Sequence, residues 1–165
     1  GDRKTGKGAD HLGHEGLIKR SVTSALVDSP RLVPMARENK TKSDRFMAEN
    51  RAKKGIVVLP SSIQYRVIED GAGRKPTPTS QVTVHYRGSL SSGLEFDSSF
   101  ARGQPASFKV DTVIDGWKEI LPLMKIGDHW QVFLPPEKAY GMRGQAPVIG
   151  PNEALVFDIK LIDVK

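Results

Sequence analysis

Val82-Thr83-Val84-His85-Tyr86-Arg87-Gly88 sets apolar and polar side chains in alternation through Tyr86. That is the period of a strand with one face buried, because successive side chains leave a strand on opposite sides. The same beat runs upstream through Ile63, Tyr65 and Val67. Downstream it runs through Trp130, Val132 and Leu134, then through Leu155, Phe157, Ile159 and Leu161. Turn-forming clusters part these runs: Asp70-Gly71-Ala72-Gly73, Ser91-Ser92-Gly93 and Pro135-Pro136. One stretch between them, Gly116 to Met124, has helical character. Strands at hairpin spacing around one short helix predict an α+β domain, an antiparallel sheet of five to six strands wrapped over that helix.

Before Gly55 the pattern is different. Pro34 to Lys54 predicts a helix, with Pro34 suited to its first turn. Glu38–Lys42, Arg45–Glu49 and Glu49–Lys53 set opposite charges at i,i+4. Basic residues crowd the last turn, and Gly55 stands where a C-terminal cap belongs. The apolar face is thin, only Met35, Phe46, Met47 and Ala52, so this helix is expected to protrude, standing in solvent or against a partner. Residues 1–16 are rich in glycine and charge and predict a disordered leader; residues 17–28 suggest at most a short helix. The organisation that follows is a flexible basic arm over 1–33, a linker helix over 34–55 and a folded domain over 56–165.

Composition fits this division. Of 165 residues 38% are hydrophobic, enough for one ordinary core beside an arm. Residues 1–60 carry 13 Lys and Arg against 7 Asp and Glu, whereas residues 61–165 carry 12 of each. The basic excess is therefore in the arm. Anionic lipid or nucleic acid would suit such charge. The arm, however, lacks clustered aromatics and strong amphipathicity, so it reads as a solvated segment with no nucleic-acid partner. Cysteine is absent, which removes disulfides, thiolate zinc sites and cysteine nucleophiles. His11 and His14 have ligand spacing but lie in the glycine-rich leader with no further ligand nearby, so no metal site is expected. No apolar run nears the roughly 18 residues of a membrane span. No signal peptide is legible and the chain opens on Gly1, so an export signal removed by processing is an expectation. No G-x-G-x-x-G, P-loop or G-x-S-x-G string is present.

Four strings then stand in order: Val84-His85-Tyr86-Arg87-Gly88, Phe96-Asp97-Ser98-Ser99, Val113-Ile114-Asp115-Gly116-Trp117 and Ala139-Tyr140-Gly141, the last followed by Gly150-Pro151-Asn152-Glu153-Ala154-Leu155-Val156-Phe157. Together they resemble the FKBP-type peptidyl-prolyl cis/trans isomerases. The junction at Glu49-Asn50 and Gly55 to Pro60 is similar to that of the bacterial macrophage infectivity potentiator (Mip) group. The resemblance implies an apolar cleft over the central helix. Tyr86, Phe96, Asp97 and Tyr140 would be its catalytic residues. Val113, Ile114, Trp117, Phe157, Phe108 and Ile149 would bind substrate. Trp117 would floor the cleft beneath the proline ring, while Tyr86, Phe96 and Phe157 would wall it. The Ile114 N–H and the Tyr140 hydroxyl would hold substrate carbonyls, and Asp97 would sit at the rim near Tyr86. Alone, Trp117 and Phe157 read as core aromatics, Asp97 as a turn residue and Tyr140 as a turn aromatic; only the constellation assigns them to a cleft. Two positions depart from many relatives. Ala106 stands where small single-domain members often have an aromatic, which would leave the cleft wider, and Gln145 is near the flap edge.

The chemistry needs no more than this. Rotation about an X–Pro bond meets a barrier of roughly 18–20 kcal/mol from amide resonance. No bond is made or broken, so neither nucleophile nor metal is required, and no cofactor is expected. An apolar cleft strips water from the imide carbonyl and favours its less polar, twisted form; hydrogen bonds aimed at that form add differential binding. A millionfold acceleration takes only about 8 kcal/mol. The resemblance further implies a folding factor acting on proline-containing proteins, inhibited by macrolide immunosuppressants, in the periplasm, outer membrane or exterior of a Gram-negative bacterium. The alternative is a non-catalytic chaperone or scaffold that holds proline segments. A homodimer is another expectation, as is self-association through the arm, which contains Ser29-Pro30 and, more suggestively, Leu32-Val33-Pro34-Met35, where apolar residues flank a proline that the following helix would hold away from its own domain. The plainer reading of those prolines is that they stop helices.

Overall fold

The structure, a computed structural model, describes residues 32–165. Residues 1–31, with His11, His14, Ser29-Pro30 and most of the expected arm, lie outside the described residues. Helix α1 (Leu32–Arg51) comes first. The strands are β1 (Val57–Val58), β2 (Gln64–Glu69), β3 (Gln81–Leu90), β4 (Glu95–Ser98), β5 (Ala106–Lys109), β6 (His129–Leu134) and β7 (Leu155–Val164). Helix α2 (Ser99–Arg102) separates β4 from β5, and α3 (Asp115–Ile120) lies between β5 and β6. All pairings are antiparallel, in the order β1-β2-β6-β7-β3-β4, with β5 also on β3. The α+β sheet over a short helix is thus present; the two-residue β1 adds a strand at its edge.

The centre of the sheet is β3 against β7, in register from Val82↔Val164 to Leu90↔Leu155 with one bulge at Thr83/Val84. Alternation decides what each face buries. Val82, Val84, Tyr86, Val132, Leu134, Leu155, Phe157, Ile159 and Leu161 are all buried on the side that receives α3, together with Trp117, Ile120, Leu121 and Met124. Each such side chain contributes about 1.5–3 kcal/mol. Alternation fails on β2: Ile63 is buried just ahead of the strand, Tyr65 is half-buried on Trp130, and Val67 is exposed. On the other side of β3 the edge is shared, with Gln81–Val84 pairing β5 and Arg87–Ser89 pairing β4.

Helix α1, expected to stand in solvent or against a partner, is largely exposed but lays one narrow face on its own sheet. It runs over 32–51 instead of 34–54, with Pro34 in its first turn; Gly55 turns the chain at φ +83° four residues after Arg51, the last helical residue. Its buried face is Ala36, Ser43, Met47 and Asn50, while Met35 and Ala52 are exposed. That face lies on the back of the sheet, where Met47 and Phe46 pack against Phe133, Ala154 and Val156. Asn50 Nδ2 donates to Gln64 Oε1 (2.8 Å), and Gln64 Nε2 donates to the Met47 carbonyl (2.9 Å). Its i,i+4 ion pair is Lys40–Asp44 at 2.7 Å, not one of the pairs expected from charge spacing. Leu32-Val33-Pro34-Met35, expected to be held away from its own domain, is wound into the first turn beside residues 146–151. Among the described residues no helix is long and apolar enough to cross a membrane.

Candidate functional site

The site is built on α3, and α3 is pressed onto the sheet by a glycine. A Cβ on Gly116 would lie 2.5 Å from Leu134 Cδ2 and 2.8 Å from the Lys138 carbonyl oxygen, so only glycine permits this approach. The next residue, Trp117, is fully buried and meets three rings edge-on: Phe157 at 5.3 Å, Tyr86 at 5.4 Å and Phe108 at 5.8 Å between centroids. Phe96 meets Phe157 edge-on in turn, at 5.8 Å. Edge-to-face contacts of this kind add about 0.5–1.5 kcal/mol each beyond burial and hold the rings at fixed angles. Gly88 makes room for the last pair, since a Cβ there would fall 2.7 Å from both Phe96 and Phe157. The Trp117 indole N–H is buried without a hydrogen-bond partner, an unmet donor in the middle of this cage.

Beside the cage is a polar cluster. The Tyr86 hydroxyl donates to Asp97 Oδ2, Arg102 Nη1 donates to Asp97 Oδ1 at 2.5 Å, and Arg102 Nη2 donates to the Tyr86 oxygen at 3.2 Å. The Arg102 guanidinium also stands 5.7 Å from the Tyr86 ring centre. Burial, reinforced by the Asp97 carboxylate, pushes the Tyr86 hydroxyl well above the ordinary tyrosine range. Tyr86 is therefore a neutral donor at physiological pH. Burial works against the Arg102 charge, but its bonds to Tyr86 and Asp97 outweigh this and raise its pKa. Asp97 is only 3% exposed and accepts from both partners. Arg102 was not found from sequence. A signal was present: Ser98 caps the one-turn α2, accepting from the Ala101 N–H, and a short helix begun there brings its basic last residue back over Asp97.

The remaining sequence-derived residues belong to, or pack against, the same buried core as the cage. Val113 and Ile114 lead into α3, both buried, and Ile114 is the extended residue before its first turn. Ile149 is buried in the same cluster, and Tyr140 packs half-buried at its border. Tyr140 and Ile149 belong to one loop; residues 141–152 are called the flap below. The flap is cross-braced by Gln145 and Ile149, whose backbones exchange hydrogen bonds at 2.8 and 3.0 Å. Ala106 is buried on β5 opposite Val84, and Gln145 is half-buried.

Comparison with known proteins bears on this geometry. Residues 72–162 match the family described as FKBP-type peptidyl-prolyl cis-trans isomerase, and residues 29–67 match the domain amino-terminal to such isomerases. The chain is 52% identical over 130 residues to the outer membrane protein MIP of Legionella longbeachae, covering 79% of this chain and 56% of that protein. It is 48% identical over 127 residues to the peptidyl-prolyl cis-trans isomerase Mip of Coxiella burnetii, covering 77% and 55%. The chain thus spans little more than half the length of these relatives. Among solved structures, FkpA from Escherichia coli superposes with a TM-score of 0.79 at 40% identity, over 82% of this chain and 63% of that one. A peptidyl-prolyl cis-trans isomerase from Pseudomonas syringae pv. tomato superposes with a TM-score of 0.75 at 36% identity, over 84% and 98%.

Proposed function

This chain belongs to the FKBP-type peptidyl-prolyl cis-trans isomerases, and from that premise we propose that it accelerates rotation about X–Pro bonds in protein substrates at the aromatic cage. The observation that carries the reading is the joining of an edge-on cage around Trp117 to a neutral hydroxyl, Tyr86, locked by Asp97 and Arg102. A proline ring over Trp117 would exchange water for aromatic surface. The imide carbonyl would then turn in a water-poor setting beside fixed donors that need no reorganisation. Tyr86, Phe96, Asp97 and Tyr140 are proposed as the catalytic residues, with Val113, Ile114, Trp117, Phe157, Phe108 and Ile149 as substrate-binding ones. Arg102 joins them by holding Asp97. Residues 56–165 are proposed as the isomerase domain and 34–55 as its linker helix.

The physiological role proposed is that of a folding factor. The Mip and FkpA relatives, from Gram-negative bacteria, support work in the periplasm or at the outer membrane. Macrolide immunosuppressants are proposed inhibitors because they would compete for the same cage. The test is isomerisation of a Leu-Pro peptide by the wild type and by Asp97→Leu, with and without such a macrolide. Wild-type turnover blocked by the macrolide, and a fall in kcat/KM of about tenfold or more in Asp97→Leu, worth about 1.4 kcal/mol, is the expected result. Undiminished kcat/KM in a folded Asp97→Leu protein would overturn the site. Binding of the macrolide by a wild type without turnover would leave only a proline-segment holder.

A further inference from the structure

The flap is closed at its base by one bond, from the Asn152 N–H to the Gly141 carbonyl at 2.8 Å, immediately after Tyr140. Asn152 stands at φ +57°, in the left-handed region that asparagine tolerates better than most residues. A turn would need no more of it. Yet its carbonyl accepts from Ser43 Oγ of α1 at 2.7 Å, and its side-chain Nδ2 donates to the Ala36 carbonyl of α1 at 3.2 Å. Ser43 is 1% exposed and also accepts from the Ala154 N–H at 2.9 Å; Asn39 Nδ2 donates to the Pro151 carbonyl at 2.9 Å. Four bonds from one face of a helix thus converge on residues 151–154. The flap tip is held differently. Between Ala146 and Pro147 and the first turn of α1, at Leu32 and Met35, lies a cavity of about 170 Å³. The helix grips the base and leaves room at the tip.

We propose that Asn152 is a positioning residue through which α1 fixes the base of the flap and so the placement of Tyr140, making substrate holding in the cleft depend on a helix outside it. The inference rests on the reading of Tyr140 as a residue that holds a substrate carbonyl. It extends that reading to Ser43 and Asn152, which do not line the cage. A loosened base shifts Tyr140 relative to the substrate carbonyl, and a small misplacement weakens a hydrogen bond steeply. The effect belongs in KM, as loss of ground-state holding requires.

The test is a pair of double-mutant cycles. Ser43→Ala and Asn152→Gly are made separately, each in the wild type and in Tyr140→Phe. Glycine keeps the left-handed turn while removing the side-chain bonds to the Ala36 carbonyl of α1 and to Met142 Sδ of the flap; Ser43→Ala, which touches only the α1 seam, separates the two. Isomerisation of a Leu-Pro peptide and thermal unfolding are measured on all six proteins. The expected result is that Tyr140→Phe raises KM, that each seam variant alone raises KM about fivefold with kcat within about twofold, and that neither adds to the effect of Tyr140→Phe. A KM rise of equal size in both backgrounds would overturn the proposal, as would a fall in kcat at unchanged KM, the signature of a smaller folded fraction. Wild-type kinetics in Tyr140→Phe would overturn the reading of Tyr140 and the coupling with it. If Ser43→Ala unfolds, the Asn152→Gly cycle decides alone.

Discussion

The two faces of the sheet are covered in opposite ways. On the inner face α3 brings Trp117 into a cage of aromatic edges, and nearly everything there is apolar and fully buried. On the outer face α1 lies on Phe133, Ala154 and Val156 but is fastened by Asn39, Ser43, Asn50 and Asn152. Apolar contact is non-directional and scales with area, whereas a hydrogen bond fixes a position yet nets only about 1 kcal/mol. The inner face therefore carries the stability. The outer seam carries register: it says where the helix must sit at little energetic gain.

The largest test of that contrast is Trp117→Ala. It should lower stability by about 3–5 kcal/mol in urea unfolding, the range for a large aromatic removed from a core. A loss below about 1 kcal/mol would mean that the cage is not the structural centre described here. Next is the pH response of Tyr86. Its folded pKa lies above its unfolded value, so its contribution is whole below pH ~10 and is lost as pH rises beyond, by at most about 1.4 kcal/mol per pH unit. Urea unfolding between pH 8 and 11 (the window set by that shift) should show this decline in the wild type and a shallower one in Tyr86→Phe. Parallel curves would break the assignment. The smallest effect is expected in the seam: Asn50→Ala should cost about 1 kcal/mol, independent of salt, with kcat/KM unchanged, because Asn50 grips β2 and not the flap. A change in kcat/KM there would spread the coupling along the whole helix instead of concentrating it at Asn152.

The same contrast explains what could be read from sequence. The inner face announces itself, since Val82, Val84 and Tyr86, or Leu155 to Leu161, follow the period of two that burial on one face demands. Of the cage aromatics, Tyr86 and Phe157 lie on those beats; Trp117, Phe96 and Phe108 do not, and only the family resemblance singles them out. The outer seam does not show in apolar periodicity. Its stripe is Ala36, Asn39, Ser43, Met47 and Asn50, correctly spaced for one helical face but mostly polar, which reads as a helix in solvent or against a partner and does not point to its own sheet. Ser43 and Asn50 became legible only once their partners on residues 152–154 and β2 were known, because a polar stripe signals docking only when something is there to bond it. Val67 shows the converse failure: it keeps the beat but sits where β2 runs past the covered part of the sheet.

A last consequence concerns the rims of the sheet. One rim is the two residues of β1, with Pro60 close behind, and then the four residues of β2 beyond them, Arg66 to Glu69; the other is cut by α2 into β4 and β5, four residues each. Exposed strand edges invite other chains to add on, and an extended polypeptide is the natural recruit. A protein proposed to work among unfolded chains meets such recruits constantly. Rims this short offer them too few consecutive backbone groups to nucleate a growing sheet, so the proposed clients could visit the proposed site without being stitched to its border.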